Sequence, residues 1–245
     1  MHLLKTIFSR RWWWVTILVL VLMGVLVRLG FWQLDRLDQR RTANAEIAAA
    51  LDASPLDLNS GDIPEDIAQV KNRLASGTGT FDHEQQVLLK VQNWGYRAGV
   101  NLITPLVLDG GQTAVLVDRG WIPDADAVPE AQSAFDMPGD VEIEGYVVLS
   151  QELGREPAAT PEGPQSEVYR VDISAIQPQI PYTLLPFYIV QAPQNNNDQL
   201  PYRLEPQVEL SEGNHLSYAL QWFIFSIGLG VAYLVFVNKS SQKSE

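Results

Sequence analysis

Apolar and polar positions divide this chain into three stretches. No charged residue occurs from Trp12 to Val27, and none occurs from Leu216 to Val237. The second run holds 22 residues. At 1.5 Å per residue it reaches about 33 Å, enough to cross a hydrocarbon core of about 30 Å. The first run continues through Arg28 to Leu34, and an arginine near a helix end can snorkel to the interface. Trp12, Trp13 and Trp14 supply an aromatic anchor at one edge, with Phe31 and Trp32 at the other. The pattern predicts two transmembrane α-helices, one near each end of the sequence.

The competing reading of the first run is a cleaved signal peptide. Lys5, Arg10 and Arg11 precede it, and Ala43-Asn44-Ala45 offers a small-residue cleavage pattern. That pattern lies beyond Arg36, Asp38, Arg40 and Arg41, whereas cleavage sites sit close to the apolar segment. An uncleaved anchor is the expectation.

The middle of the chain changes period. Good helix formers continue without Gly or Pro after the first span, and Leu34, Leu37, Ile47 and Leu51 recur at helical intervals. The first helix is therefore expected to extend to about Leu51. The segment "ASPLDLNSGDIPED" reads as a loop. From Val70 on, short segments rich in Val, Ile, Leu, Thr and Tyr alternate with turn residues: "VKNRLASGTGTFD", "QQVLLKVQ", "YRAGVNLITPLVL", "TAVLVDRGWI" and "VEIEGYVVL". A hairpin is expected around Asp109-Gly110-Gly111-Gln112. "EGPQSEVYRVD", "TLLPFYIVQA" and "RLEPQVEL" add three weaker strands, and a small helix is expected near Ile173 to Gln177. Glu152 to Ser166 and Ala192 to Tyr202 read as loops.

The fold class that follows is a membrane protein. Two terminal transmembrane α-helices flank one mainly antiparallel β domain with little helix, barrel-like or sandwich-like. The expected organisation is a cytoplasmic tail over 1–11, a first span over 12–34 and a helical extension and linker over 35–55. An extracytoplasmic β domain follows over 56–214, then a second span over 215–237 and a cytoplasmic tail over 238–245.

Charge refines this picture. Of 17 Lys and Arg, six (Lys5, Arg10, Arg11, Arg28, Lys239 and Lys243) lie at or in the membrane ends, and of 29 Asp and Glu only Glu245 does. The central domain thus carries about −17, which argues against nucleic acid as a partner. Lys5, Arg10, Arg11, Lys239 and Lys243 favour cytoplasmic tails. Arg28, Arg36, Arg40 and Arg41 open a long loop, where the positive-inside rule has little force. The chain has no cysteine, which suits an extracytoplasmic domain without disulfides.

Catalytic material is thin. There is no cysteine nucleophile, G-x-S-x-G elbow, P-loop or HExxH motif, so no enzyme is expected. Of the three histidines, His2 is terminal and His83 follows Phe81-Asp82, an expected exposed turn. His215 differs. On a helix starting near Asn214 it shares a face with Tyr218, Ala219 and Trp222. The topology brings Arg28, Trp32, Gln33 and Arg36 to the same side of the membrane. A neutral imidazole can ligate haem iron and arginines suit its propionates. The same residues also fit a wet interfacial histidine beside an aromatic belt.

Five stretches occur in order: "LGFWQLDR" (Leu29 to Arg36), "TGTFD", "GVNLITPLVLDGG", "LVDRGWIP" (Leu116 to Pro123) and "NHLSYALQWF" (Asn214 to Phe223). Together they resemble the surfeit locus protein 1 family, assembly factors for haem–copper cytochrome c oxidase, across nearly the whole chain. Asp118 stands where that family usually has Asn, and Arg40 where Lys is common. The two Pro- and Gly-rich loops carry no matching motif.

The resemblance implies a protein that helps build subunit I of the oxidase, with haem a synthase as a further partner and the lipid bilayer as its setting. Bacterial members resemble haem a binders, which makes His215 the implied iron ligand and Trp222 its aromatic neighbour. Arg119, Gly120 and Trp121 are implied either to touch a partner or to serve structure: Gly for a turn, Trp in the core, Arg paired with a carboxylate. The N-terminus lacks an Arg- and Ser-rich transit pattern, which points to a bacterial plasma membrane. A haem-free scaffold that stabilises an oxidase intermediate is the alternative. A solute sensor is disfavoured by tails too short for an output domain.

Overall fold

The computed structural model describes residues 12–152, 165–193, 197–204 and 210–242. The chain divides into two compact units, Ile47–Val208 and the two chain ends on either side of it.

The chain ends form an antiparallel helix pair, α1 (Trp13–Asp52) and α2 (His215–Gln242). Both are long and apolar enough to cross a membrane. At 1.5 Å per residue, the 40 residues of α1 span about 60 Å, so the charged extension predicted to about Leu51 continues the span without a break. Small and hydroxylated residues bring the helices together. Trp12 meets Phe236 edge-on with centroids 5.6 Å apart, and Thr16 Oγ1 lies 2.5 Å from Tyr233 Oη. Further along, Ser226 Oγ donates to Met23 O at 3.2 Å. Gly30 leaves room for the Phe223 ring, which also packs edge-on against Phe31 at 5.5 Å. Beyond these contacts Arg41 clasps Glu212 through two 2.9 Å hydrogen bonds, and Asn44 Nδ2 donates to Leu210 O at 2.7 Å. Close approach and interhelical hydrogen bonds are what hold helices together where lipid supplies no hydrophobic drive. Leu18, Leu20, Val21, Ile224, Ile227 and Val235 stay exposed on the outer faces.

The second unit is built from eight strands. In chain order they are β1 (Leu56–Asp57), β2 (Leu74–Phe81), β3 (Val87–Trp94), β4 (Arg97–Leu108), β5 (Thr113–Pro123), β6 (Asp140–Leu149), β7 (Glu167–Val168) and β8 (Thr183–Gln191). Their order in the sheet is β1-β2-β6-β8-β5-β4-β3-β7, and β2 also pairs with β4 through Gly79↔Leu108 and Phe81↔Leu106. That extra pairing closes β2, β6, β8, β5 and β4 into a barrel, resolving the choice between barrel and sandwich. Most pairs are antiparallel, but β5 runs parallel to β8, as β1 does to β2 and β3 to β7. Full closure removes the exposed edges of the central strands.

Alternation along the strands sorts side chains into two cores. Ala75, Phe81, Leu106, Val115, Val117, Ile143, Val147, Phe187 and Ile189 fill the barrel. Val87, Ile103, Ala114, Leu116, Val168, Ile176, Leu184 and Tyr188 form a second core on the outer face of β5 and β8. It is covered in part by β7 and a one-turn helix at Ile173–Ile176, where the small helix was expected. β5 is accordingly buried on both faces, which explains its nearly continuous apolar sequence. The expected strand "RLEPQVEL" lies largely outside the described residues; just upstream of it, Tyr202 bridges to Trp121. The weak strand expected in "EGPQSEVYRVD" is reduced to the two residues of β7.

The β6–β8 seam of the barrel requires close strand approach at Gly145. A Cβ there would run into Val190 O, with Ile189 Cγ2 also only 2.6 Å away. Backbone cannot step aside as a side chain can. Gly145→Ala is expected to destabilise the β domain by about 3 kcal/mol, the upper part of the overpacking range. Denaturant melts of the two proteins would check this.

Candidate functional site

His215 is the first residue of α2 and is half-buried. Its Nδ1 lies 2.9 Å from Gln33 Oε1 on α1. A carboxamide oxygen only accepts, so Nδ1 carries the ring proton and Nε2 keeps its lone pair. Nε2 makes no hydrogen bond among the described residues. A hydrogen bond that fixes the tautomer and points the other nitrogen outward is the support metal-binding histidines use.

The structure sorts the remaining predicted residues. Ala219, one turn after His215, is fully buried between the helices. Trp222 is half-buried and packs edge-on against Phe225 at 6.1 Å. Its Nε1–H is buried and has no acceptor among the described residues. A buried unpaired donor is costly, so this one is available to a bound group. Tyr218 is half-exposed and Arg28 is exposed. Arg36 lies 5.6 Å above the Trp32 ring and donates to Gln39 Oε1 at 2.9 Å. No hydrogen bond or ring contact joins Arg28, Trp32, Arg36 or Tyr218 to His215 among the described residues. The pairing that forms is Gln33 with His215.

In the β domain, Asp118, Arg119, Gly120 and Trp121 occupy a bulge of β5, where the register against β4 shifts between Asn101 and Ile103. Gly120 has φ +115°, and a Cβ there would lie 2.6 Å from Tyr202 O. Only glycine fits that conformation and that approach. Successive side chains then point to opposite faces. Asp118 is buried, accepting from Asn101 Nδ2 at 2.8 Å and Gly120 N at 3.0 Å. Burial pushes its carboxyl up to about 6, against the pull of those two hydrogen bonds and of Arg203. Trp121 is 3% exposed and stacks on Tyr202 with centroids 5.9 Å apart, as expected of a core tryptophan. Arg97 covers both rings.

Arg119 departs from expectation. It is 1% exposed, the largest fully buried side chain among the described residues, and lies 4.8 Å above the Phe81 ring inside the barrel. Among the described residues no carboxylate forms an ion pair with it. The expected carboxylate partner is replaced by Phe135 O, which accepts from Nη2, and by Gln86 Oε1, 3.3 Å from Nη1. Desolvation lowers the guanidinium to about 10, only partly opposed by the more distant Asp136.

His83 is also not the free turn residue expected. Its turn (His83–Gln85) is capped by Asp82, but its ring is only 20% exposed. Nε2 accepts from Met137 N at 3.1 Å, so Nδ1 bears the proton and donates to Asp136 at 3.2 Å. Together Gln86, His83 and Arg119 tie residues 132–137 over one end of the barrel.

A model described as the SURF1 family matches residues 20–227. The chain belongs to the SURF1 family. It is 28% identical over 223 residues to a SURF1-like protein of Monosiga brevicollis, covering 86% of this chain and 82% of that protein. A SURF1-like protein of Rickettsia felis is 27% identical over 229 residues, 90% of this chain and 95% of the relative. A shorter similarity, 27% over 105 residues, relates 43% of the chain to 27% of a Saccharomyces cerevisiae protein named cytochrome oxidase assembly protein SHY1.

Both candidate clusters of this SURF1-family chain lie inside the matched span. Reading the sequence alone missed Gln86, Asp136 and Gln191. Gln191 did leave a signal: Leu185, Phe187 and Ile189 alternate into the barrel, and the next inward position of β8 is a glutamine. A polar residue at a core position is informative.

Proposed function

We propose that the protein is a non-enzymatic assembly factor for haem–copper cytochrome c oxidase that binds haem a through His215 Nε2 and passes it to subunit I. The family and the yeast relative's name support a role in oxidase assembly. The Gln33–His215 hydrogen bond carries the haem reading, because it engages Nδ1 and leaves Nε2 without a hydrogen-bond partner among the described residues. Haem, when bound, would supply an iron centre that an imidazole nitrogen can ligate. This chain's residues do the rest: Gln33 holds the tautomer, Ala219 allows the helices to close, and the Trp222 Nε1–H offers a donor. Haem a synthase is the source such a carrier needs, and the bilayer is shared with it. The flanking Lys5, Arg10, Arg11, Lys239 and Lys243 favour tails in the cytoplasm of a bacterium. The β domain is then on the outer side of the plasma membrane.

Protein purified after co-expression with the haem a biosynthetic enzymes is expected to carry a Soret band with about one haem per chain. A stable, colourless protein that still associates with subunit I would instead make it a haem-free scaffold. Protease added outside the plasma membrane should digest the β domain and spare both helices; protection of Val70 to Leu210 until lysis would reverse the orientation.

A further inference from the structure

Three polar atoms inside the barrel have no partner among the described residues: Arg119 Nε and both amide atoms of Gln191. Each of the two side chains is only 1% exposed. They are also neighbours. β5 and β8 run in parallel register through Val117↔Ile189 and Asp118↔Val190, which makes Arg119 and Gln191 the next positions on the two strands. Both point inward. Arg119 lies over Phe81, and Gln191 continues the inward series Phe187, Ile189.

Buried polar groups are normally paired, and buried charges are normally neutralised. A water molecule could satisfy the amide but would leave the charge. Arg119 is a cation shut away from solvent without an ion-pair partner among the described residues. Arg203 adds positive potential on the other side of β5, where Asp118 attracts it. The missing complement is one negative charge that accepts from Arg119 Nε and the Gln191 amide. The walls below are apolar: Phe81, Val117 and Ile189.

We propose that this end of the barrel binds a small monocarboxylate, its head between Arg119 Nε and Gln191 Nε2 and its short alkyl part against Phe81, Val117 and Ile189. Gln191 Oε1 takes a donor from the occupant or from an accompanying water. Access runs under residues 133–137. That segment is half-buried or exposed and is tied to the barrel by Arg119 with Phe135 O and by His83 with Met137 and Asp136. Only Met137 and Phe135 pack against core clusters from this short segment, and a cover with so few packing contacts and hydrogen bonds can open locally. The proposal rests on the β domain alone and is independent of the haem reading.

The test uses full-length protein in nanodiscs and sodium propionate as the probe, with sodium chloride and phosphate at matched ionic strength. Equilibrium dialysis with labelled propionate is expected to show one saturable site per chain, with a parallel rise in melting temperature. Chloride and phosphate should produce neither. Gln191→Leu removes an amide that has no protein partner, so it should fold at least as well as wild type. It should weaken propionate at least tenfold, the equivalent of one charge-assisted hydrogen bond. Arg119→Lys keeps the charge and loses Nε, and should weaken it comparably. Absence of saturable propionate binding would overturn the proposal. So would equal binding of phosphate or undiminished affinity in Gln191→Leu.

Discussion

Replacing His215 with alanine is expected to remove the Soret band from protein that still inserts and folds. The substitution deletes the proposed iron ligand and little else. His215 opens α2 and is half-buried, and its one side-chain hydrogen bond among the described residues is to Gln33. Alanine is a strong helix former. The contacts that hold the helix pair, Thr16 with Tyr233, Ser226 with Met23 and Arg41 with Glu212, lie elsewhere along it. Loss of haem therefore cannot be traced to loss of the hairpin. Gln33→Leu provides the graded companion. It frees the imidazole to change tautomer and rotate, and should cost about 10–100-fold in haem affinity, as removal of the partner that orients a metal ligand does. His215→Met should return part of the absorbance with a changed band position, because the spectrum reports the axial ligand. Titration of haem a into detergent-solubilised variants measures all three. Full occupancy with an unaltered spectrum in His215→Ala would remove the ligand assignment and leave the scaffold reading in its place.

The helices were plain in the sequence because a bilayer imposes a one-dimensional requirement: a long run without charge. The β4–β5 hairpin was equally plain, since its turn residues are local. Barrel closure was not. It depends on β2 pairing with β4 and on β8 lying parallel to β5 across some 60 intervening residues, and no local pattern encodes a pairing at that separation.

The site shows the same division. Helical spacing put His215, Tyr218 and Ala219 on one face. The actual facing direction is set by packing against α1, which buries Ala219 and leaves Tyr218 half-exposed. Trp32 and Arg36 were placed near the same end by topology, yet they pair with each other. In the β domain, the tryptophan of Arg-Gly-Trp is in the core as expected, but the glycine expected in a turn sits in a strand bulge. What the reading missed is which face of β5 each residue takes. Strand alternation sends Arg119 into the barrel after Val117 and Asp118 to the opposite side after Leu116, so the two never meet as an ion pair despite being adjacent.

Asp118 yields the second large expected effect. Its carboxyl, ordinarily near 3.8, stands at about 6 because burial outweighs the hydrogen bonds from Asn101 and Gly120 and the attraction of Arg203. Between those two values the folded protein holds a proton that the unfolded chain has released. Stability must therefore fall as pH rises through this window. Above about pH 6 the full penalty is about 3 kcal/mol, at about 1.4 kcal/mol per pH unit. Asp118→Asn mimics the protonated state at every pH, and Asn101 can turn its amide to present an oxygen to the new Nδ2. Arg203 loses an attractive charge but keeps its bond from Nε to Arg119 O at 2.9 Å and its backbone pairing with Asn197. The many surface carboxylates also titrate, so the informative quantity is the difference between variant and wild type. That difference should be about 0.5 kcal/mol at pH 4 and should grow to about 3 kcal/mol in favour of the asparagine by pH 7.5. Denaturant unfolding at half-unit pH steps would read it directly. A gap that stays constant across the range would mean that Asp118 titrates alike in the folded and unfolded chain, and that burial does not govern it.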